Sequence, residues 1–459
     1  MTSSSRLGEV ELPDFGPPEA ERPEIPRETY RARIEALRER MERAGYDHLV
    51  VYADREHSAS QSFLTGFDPR FEEAVLILAL AGDPAILVGN ECFGLAGAAP
   101  LPMRRRLYQD LSLPSQPRDR SEPLATILAD EGIGPGSRIG VLGWKTFTDP
   151  SRMEVPAYLV DELRTLAGQT GSVENANRLL IDPADGLRII NDVDQLAAFE
   201  HASCRTSDGV RRLLRELRPG LREREAVDLL GWDGTPLSCH LMLTAGPRAS
   251  LGLLSPGDRR IERGDRFTVA FGIWGALTCR AGFVVEGASE LPEPIRDYVD
   301  RLVAPYFEAV AEWYGALRIG QTGGALQAII DRRLGDPFFG IFLNPGHQLH
   351  LDEWVNSPVG PGSTIELRSG MALQVDIIPA TGTDYFTTNI EDGIALADST
   401  LRETLASRYP QAWRRIVARR RFMAESLGID LHPDVLPLSN IPGFLPPFLL
   451  RPDLAMTRR

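Results

Sequence analysis

"GDRFTVAFGIWGALTCRAGFVVEG", from Gly264 to Gly287, reads as two β-strands folded back on each other around Trp274 and Gly275. Alternation along the first strand puts Thr268, Ala270 and Gly272 on one face and Phe267, Val269 and Phe271 on the other. One face is therefore small and neutral, the other large and apolar. Between Arg266 and Val285 there is no Asp or Glu, so in no register can this hairpin offer a carboxylate to a site.

Working outward, a strand is expected upstream at 239–245 and a second strand pair downstream at 371–379 and 385–396. Val193, Leu196, Val210, Leu213, Leu214 and Leu217 mark a helix over 193–217, and another covers about 293–317 before the break at Gly320. Long helices segregated against antiparallel hairpins make an α+β domain. Nearer the N-terminus the pattern changes. Tyr30, Ile34, Leu37 and Met41 give an amphipathic helix that stops at Gly45. The apolar runs 47–53, 74–80, 85–89 and 138–143 follow as strands, with helical patterns at 122–131 and 155–167, which describes an α/β domain.

Four segments result: a polar, proline-rich 1–27, an α/β domain at 28–175, the α+β domain at 190–400, and a C-terminal extension at 401–459. Turn formers between Ser172 and Asn191 set the domain boundary. The extension is expected to be helical to about Leu427 and then apolar and broken by prolines, "LHPDVLPLSNIPGFLPPFLLRPDLAM", lying extended against a groove of its own subunit or of a neighbour.

The chain has 459 residues, 43% hydrophobic and 25% charged, with a net charge of −14. That balance opposes binding to nucleic acid or an anionic membrane, which needs clustered Lys and Arg, and favours a small molecule or short peptide as partner. The N-terminus lacks the apolar core of a signal peptide and no later run reaches membrane-spanning length, so a cytoplasmic location is expected. Cys92, Cys204, Cys239 and Cys279 form neither a CxxC pair nor a secreted disulfide pattern, which suits reduced thiols.

The sequence resembles the creatinase, prolidase, aminopeptidase P and methionine aminopeptidase superfamily, whose C-terminal half is the pita-bread fold. The matching pieces are "YRARIEALRERMERAGYDHLVVYA" at 30–53, "FLTGF" at 63–67, "LMLTAGPRA" at 241–249, "RGDRFTVAFG" at 263–272, "NPGHQLHLDEWVNSP" at 344–358, "SGMALQVDIIP" at 369–379 and "TNIEDGIAL" at 388–396. Together they span roughly residues 28 to 398. The fold implied is an α/β N-terminal domain followed by an α+β pita-bread domain, and a homodimer is expected from the family.

In metal-dependent members two divalent ions lie between the strands, held by two Asp of the first hairpin, one His and two Glu. Several anionic oxygens hold hard ions, and two close ions activate water while steadying an oxyanion. Carried over, the His falls on His347, the first Glu on Asp376 and the second on Glu391. The two Asp fall on Ala270 and on Leu277 or Cys279, so a paired-metal site is not expected. A single divalent ion on His347, Asp376 and Glu391 stays open, since three ligands suffice for a site with a free position.

Creatinase, which is similar in lacking those Asp and hydrolyses a C–N bond without metal, suggests other roles. Its proton-handling His falls near Leu253 and its substrate-binding Glu on Cys279, with Arg280 retained, while a second family His falls on Trp354. In this reading His347 is the general acid or base, oriented by Asp376 or Glu391. Arg280 either holds a substrate carboxylate or pairs with one of the remaining acids, Trp354 walls the substrate site, and His350 either lines it or is satisfied locally. Cys279 is either a thiolate nucleophile beside that Arg or a small buried hydrophobe. The expected function is an atypical hydrolase of an amide, imide or guanidino C–N bond in a small substrate, without paired metals. A catalytically silent pita-bread protein that binds a ligand or protein partner, and a single-metal peptidase-like hydrolase, are the alternatives.

Overall fold

The computed structural model describes residues 5–459, which divide into two units: Ile25–Ile189, and Ile190–Arg459 together with the N-terminal residues through Glu24. In the first unit the expected amphipathic helix spans Arg27–Ala44 with Tyr30, Ile34, Leu37 and Met41 buried, and ends on Gly45 at φ 75°. A positive φ there costs glycine nothing, and the Gly45 N–H bonds back to the carbonyl of Glu42.

Six strands follow, β2 (His48–Ala53), β3 (Ala74–Ala79), β4 (Ala85–Val88), β5 (Arg104–Leu107), β6 (Arg138–Leu142) and β7 (Ser172–Asn175), in the order β5-β4-β3-β2-β6-β7. The pairs β2–β3 and β3–β4 are antiparallel, the others parallel. Central strands are continuous apolar runs buried throughout, as in a sheet covered on both faces. The edge strands β5 and β7 have no such pattern. Arg104 and Arg105 on β5 are exposed, and charged side chains on an edge strand block further pairing.

The second unit is built on one large sheet. Its strands are β8 (Met242–Ala245), β9 (Arg266–Ile273), β10 (Ala276–Phe283), β11 (His347–Gln348), β12 (Ala372–Asp376), β13 (Asn389–Leu396) and β14 (Val435–Pro437). The order is β11-β12-β13-β10-β9-β8, with β14 on the free stretch of β13, and every pairing is antiparallel. Residues Trp274 and Gly275 make the two-residue turn between β9 and β10, with Gly275 at φ 96°. Helices Val193–Glu216, Ala304–Ala316 and Gly323–Leu334 pack in this unit, and the first has 19 buried positions along its 24 residues. No helix among the described residues is long and apolar enough to cross a membrane.

The C-terminal extension lies against its own chain. Helices Ser399–Arg408 and Pro410–Phe422 lead to a tail in which Leu436, Leu438, Ile441, Phe444, Leu445, Phe448 and Leu449 are all buried. Beyond β10 the tail continues the ladder, Phe283 donating its N–H to Pro447 and accepting from Leu449. The last strand, β15 (Leu454–Thr457), pairs antiparallel with β1 (Arg6–Glu9), so these N-terminal residues pack with the C-terminal unit and do not stand as a separate polar segment.

Candidate active site

The register of the central sheet sets one lateral row. Met242 of β8 lies opposite Ala270 of β9, Ala270 opposite Cys279 of β10, Cys279 opposite Glu391 of β13, and Glu391 opposite Asp376 of β12. Directly opposed residues in antiparallel strands point to the same face, so the row runs as a neutral half followed by an acidic half. The neutral half is a small apolar cluster of Ala270, Leu277 and Cys279, with Cys239 and Met242 packed against it.

His347 enters from β11, opposite Gln374 and one pleat from Asp376. Gly346 before it adopts φ 123°, and a Cβ at that position would come within 2.8 Å of the Trp313 ring, so only glycine lets the chain deliver the histidine here. The imidazole is fully buried. Its Nε2 faces three carboxyl groups, Glu391 at 3.5 Å, Glu353 at 3.6 Å and Asp376 at 3.8 Å, and has no partner in hydrogen-bond geometry among the described residues. Nδ1 lies 3.3 Å from the carbonyl of Gln348.

Glu353 was not foreseen from the sequence. It sits in a loop folded back by two backbone bonds, Gln348 N–H to Asn356 and Val355 N–H to Gln348, which return the chain over His347. The same loop stacks Trp354 on the imidazole with ring centroids 4.1 Å apart and 18° between planes. Trp354 is 37% exposed and covers one face of the fully buried His347 ring. The signal available was a run of two acids, Asp352 and Glu353, five and six residues after His347; in a loop no periodicity says which of them turns inward.

Burial dominates the electrostatics. It pushes Asp376 up to about 8, with Glu391 beside it adding to the effect, and pushes Glu353 and Glu391 up to about 7. Carboxyl groups this close in low dielectric cannot all ionise together, so the cluster holds protons near neutral pH or calls for a cation. Cys279 is raised well above the ordinary thiol value by burial and by Glu391. A protonated thiol donating to a carboxylate is no nucleophile, so the structure supports the small-hydrophobe reading of Cys279 over the thiolate one.

Two expected substrate-binding residues are not in the site. Arg280 follows Cys279 on the strand and must point to the opposite face. There it is 1% exposed, makes two bonds to Asp392 at 2.9 and 3.1 Å, and donates to the carbonyls of Phe444 and Ile441 in the tail. No donor is left for a substrate carboxylate, so Arg280 follows the reading in which it pairs with an acid, and the substrate-binding reading is corrected. His350 is fully buried with its ring edge-on to Phe199 at 5.1 Å, and it is not among the groups whose ligand atoms gather with those of His347. His347, Asp376 and Glu391 converge, with Trp354 and Cys279 adjoining them.

The donor set can be tested against a metal. A pair of ions needs oxygens on both halves of the row, and Ala270, Leu277 and Cys279 supply none. One ion fits better: ligand atoms of His347, Glu353 and Glu391 lie within 4.8 Å of one another. Two atoms each about 2.1 Å from a tetrahedral ion are about 3.4 Å apart, close to the spacing around Nε2.

No protein-family model matches the chain. It is 23% identical over 248 residues to a Bacillus subtilis protein described as an uncharacterized peptidase, YqhT, covering 51% of this chain and 67% of that one. Among solved structures, a prolidase from Thermococcus sibiricus superposes with a TM-score of 0.62 at 19% identity over 80% of this chain and 95% of that one. An X-Pro aminopeptidase from Thermotoga maritima gives 0.60 at 14% identity, again over 80% and 95%. With its antiparallel central sheet and these superpositions, the chain is a structural relative of the prolidases and X-Pro aminopeptidases, built on their pita-bread fold.

Proposed function

We propose that this chain is a peptidase-like hydrolase that cleaves the C–N bond of a short peptide or other small amide, with His347, Glu353, Asp376 and Glu391 as its reacting centre. The observation that carries this is the convergence of three carboxyl groups on one fully buried imidazole nitrogen. The names of the relatives add support, since the matched proteins are described as a peptidase, a prolidase and an X-Pro aminopeptidase.

Hydrolysis of an amide asks for an activated water, a proton for the leaving amine and relief of the charge on the attacked carbonyl. His347, Glu353 and Glu391 are the residues that would hold a divalent ion; when bound, it lowers the pKa of a water and polarises a carbonyl. Asp376, beside that trio at 3.8 Å from His347 Nε2, is placed to carry the proton between water and leaving nitrogen. Trp354 fixes the plane of His347 and excludes water from one side. The neutral half of the row then faces the substrate with Ala270, Leu277 and Met242, which favours an uncharged group there. An imide C–N bond makes the same demands; a guanidino C–N bond makes those for a water and for a proton on the leaving nitrogen, without a carbonyl.

The test is a panel of Xaa-Pro dipeptides, cyclic amides and creatine-like compounds, assayed with the wild type, His347→Ala and Glu391→Gln. Turnover by the wild type that both variants lose is expected. No turnover of any compound, or variants equal to the wild type, would leave a ligand-binding protein on an enzyme fold.

A further inference from the structure

We infer that the site is a one-cation centre in which Glu353, carried on the loop after β11, supplies the anionic oxygen that the β9–β10 hairpin lacks. Two independent observations meet here. Ligand atoms of His347, Glu353 and Glu391 lie within 4.8 Å of one another, with Asp376 also 3.8 Å from the imidazole, and the fully buried His347 turns an Nε2 without a hydrogen-bond partner toward these acids. A buried imidazole nitrogen left so is destabilising, and carboxyl groups this close cannot all ionise without a counter-charge. One divalent ion answers both: it takes the lone pair of neutral imidazole and neutralises two of the carboxylates.

Position also distinguishes Glu353 from the strand-borne acids. Asp376 and Glu391 stand on adjacent strands of a rigid ladder, and their side chains are each 5% exposed. The Glu353 side chain is 25% exposed and is carried on a loop, not on the ladder. A third protein ligand is what a four-coordinate site with one free position needs when the β9 and β10 positions are Ala270 and Cys279. Three protein ligands would leave a fourth position free for a water or a substrate oxygen.

This inference uses the same side chains as the hydrolase reading but stands on geometry alone. Full-length protein stripped with chelator is titrated with Zn²⁺ and, separately, Co²⁺, with bound metal counted by mass spectrometry and the Co²⁺ visible bands recorded. One ion per chain is expected, with the intense bands of a four-coordinate Co²⁺ site. Glu353→Gln lowers the affinity by at least the roughly 10–100-fold typical of lost outer-shell partners, while Glu353→His, which restores a ligand, recovers most of it. Circular dichroism confirms that both variants are folded; if Glu353→Gln is not, the histidine variant and the wild-type ion count decide. Two ions per chain, none, or an affinity indifferent to Glu353 overturns the inference. A chain that binds one ion yet cleaves nothing overturns the hydrolase reading alone, and one that cleaves peptides with no ion bound overturns this inference alone.

Discussion

The two halves of the lateral row share one sheet and one register, yet they differ in almost everything that decides chemistry. On β12 and β13 stand Asp376 and Glu391, buried, opposed and held near the point where they exchange protons around neutrality. On β9 and β10 the same row presents Ala270 and Cys279, with Leu277 and Met242 beside them. Backbone pairing is equally regular in both, so the sheet does not need the charges. A fold of this kind keeps its ladder whatever the row carries, because hydrogen bonds run along the backbone and side chains only select what sits above it.

The sharpest way to break the contrast is on the acidic half. His347→Ala or Glu391→Gln is expected to lower kcat/KM about 10²–10⁴-fold, the range for removing an acid–base or activating group, in the peptide assay. A loss under tenfold would mean that the acidic half is a fossil. Next comes restoration of the neutral half: Ala270→Asp combined with Cys279→Asp should raise bound divalent ions from one to two per chain, counted on the purified variant. An unchanged count would show that more than missing oxygens separates the halves. Arg280→Met probes the back of the same strand, where it strands Asp392 without its cation and is expected to cost about 3–5 kcal/mol in urea unfolding. If stability holds and KM for anionic substrates rises instead, Arg280 faces the substrate after all. The smallest effect is expected for Cys279→Ala, which should change kcat/KM by less than about tenfold, well below that of an acid–base group. A larger loss would reinstate the thiol as a reactant.

How far the sequence could be read follows from what each residue's neighbours constrain. The hairpin was legible because Phe267, Val269 and Phe271 alternate with Thr268, Ala270 and Gly272, and period two fixes a strand and its faces. His347, Asp376 and Glu391 could be placed by the motifs around them, and the structure brings them together. The same alternation rules out Cys279 and Arg280 on one wall, since adjacent strand residues diverge, and the pairing of Arg280 with Asp392 is a contact between strands that no linear pattern reports. Strands β5 and β7 lacked the apolar run that announces a buried strand. Glu353 was invisible for a different reason: in a loop, direction is set by tertiary hydrogen bonds such as those between Gln348 and Asn356.

The guanidinium of Arg280 ties β10 to Asp392 on β13 and to the carbonyls of Phe444 and Ile441, while Cys279 and Glu391, one residue away on each strand, face the proposed centre around His347. The aim of Glu391 thus depends on a proline-broken stretch that makes few ladder bonds of its own. Mild warming that frays residues 441–449 should disarm catalysis several degrees before the helices melt, giving an inactivation midpoint below the unfolding one.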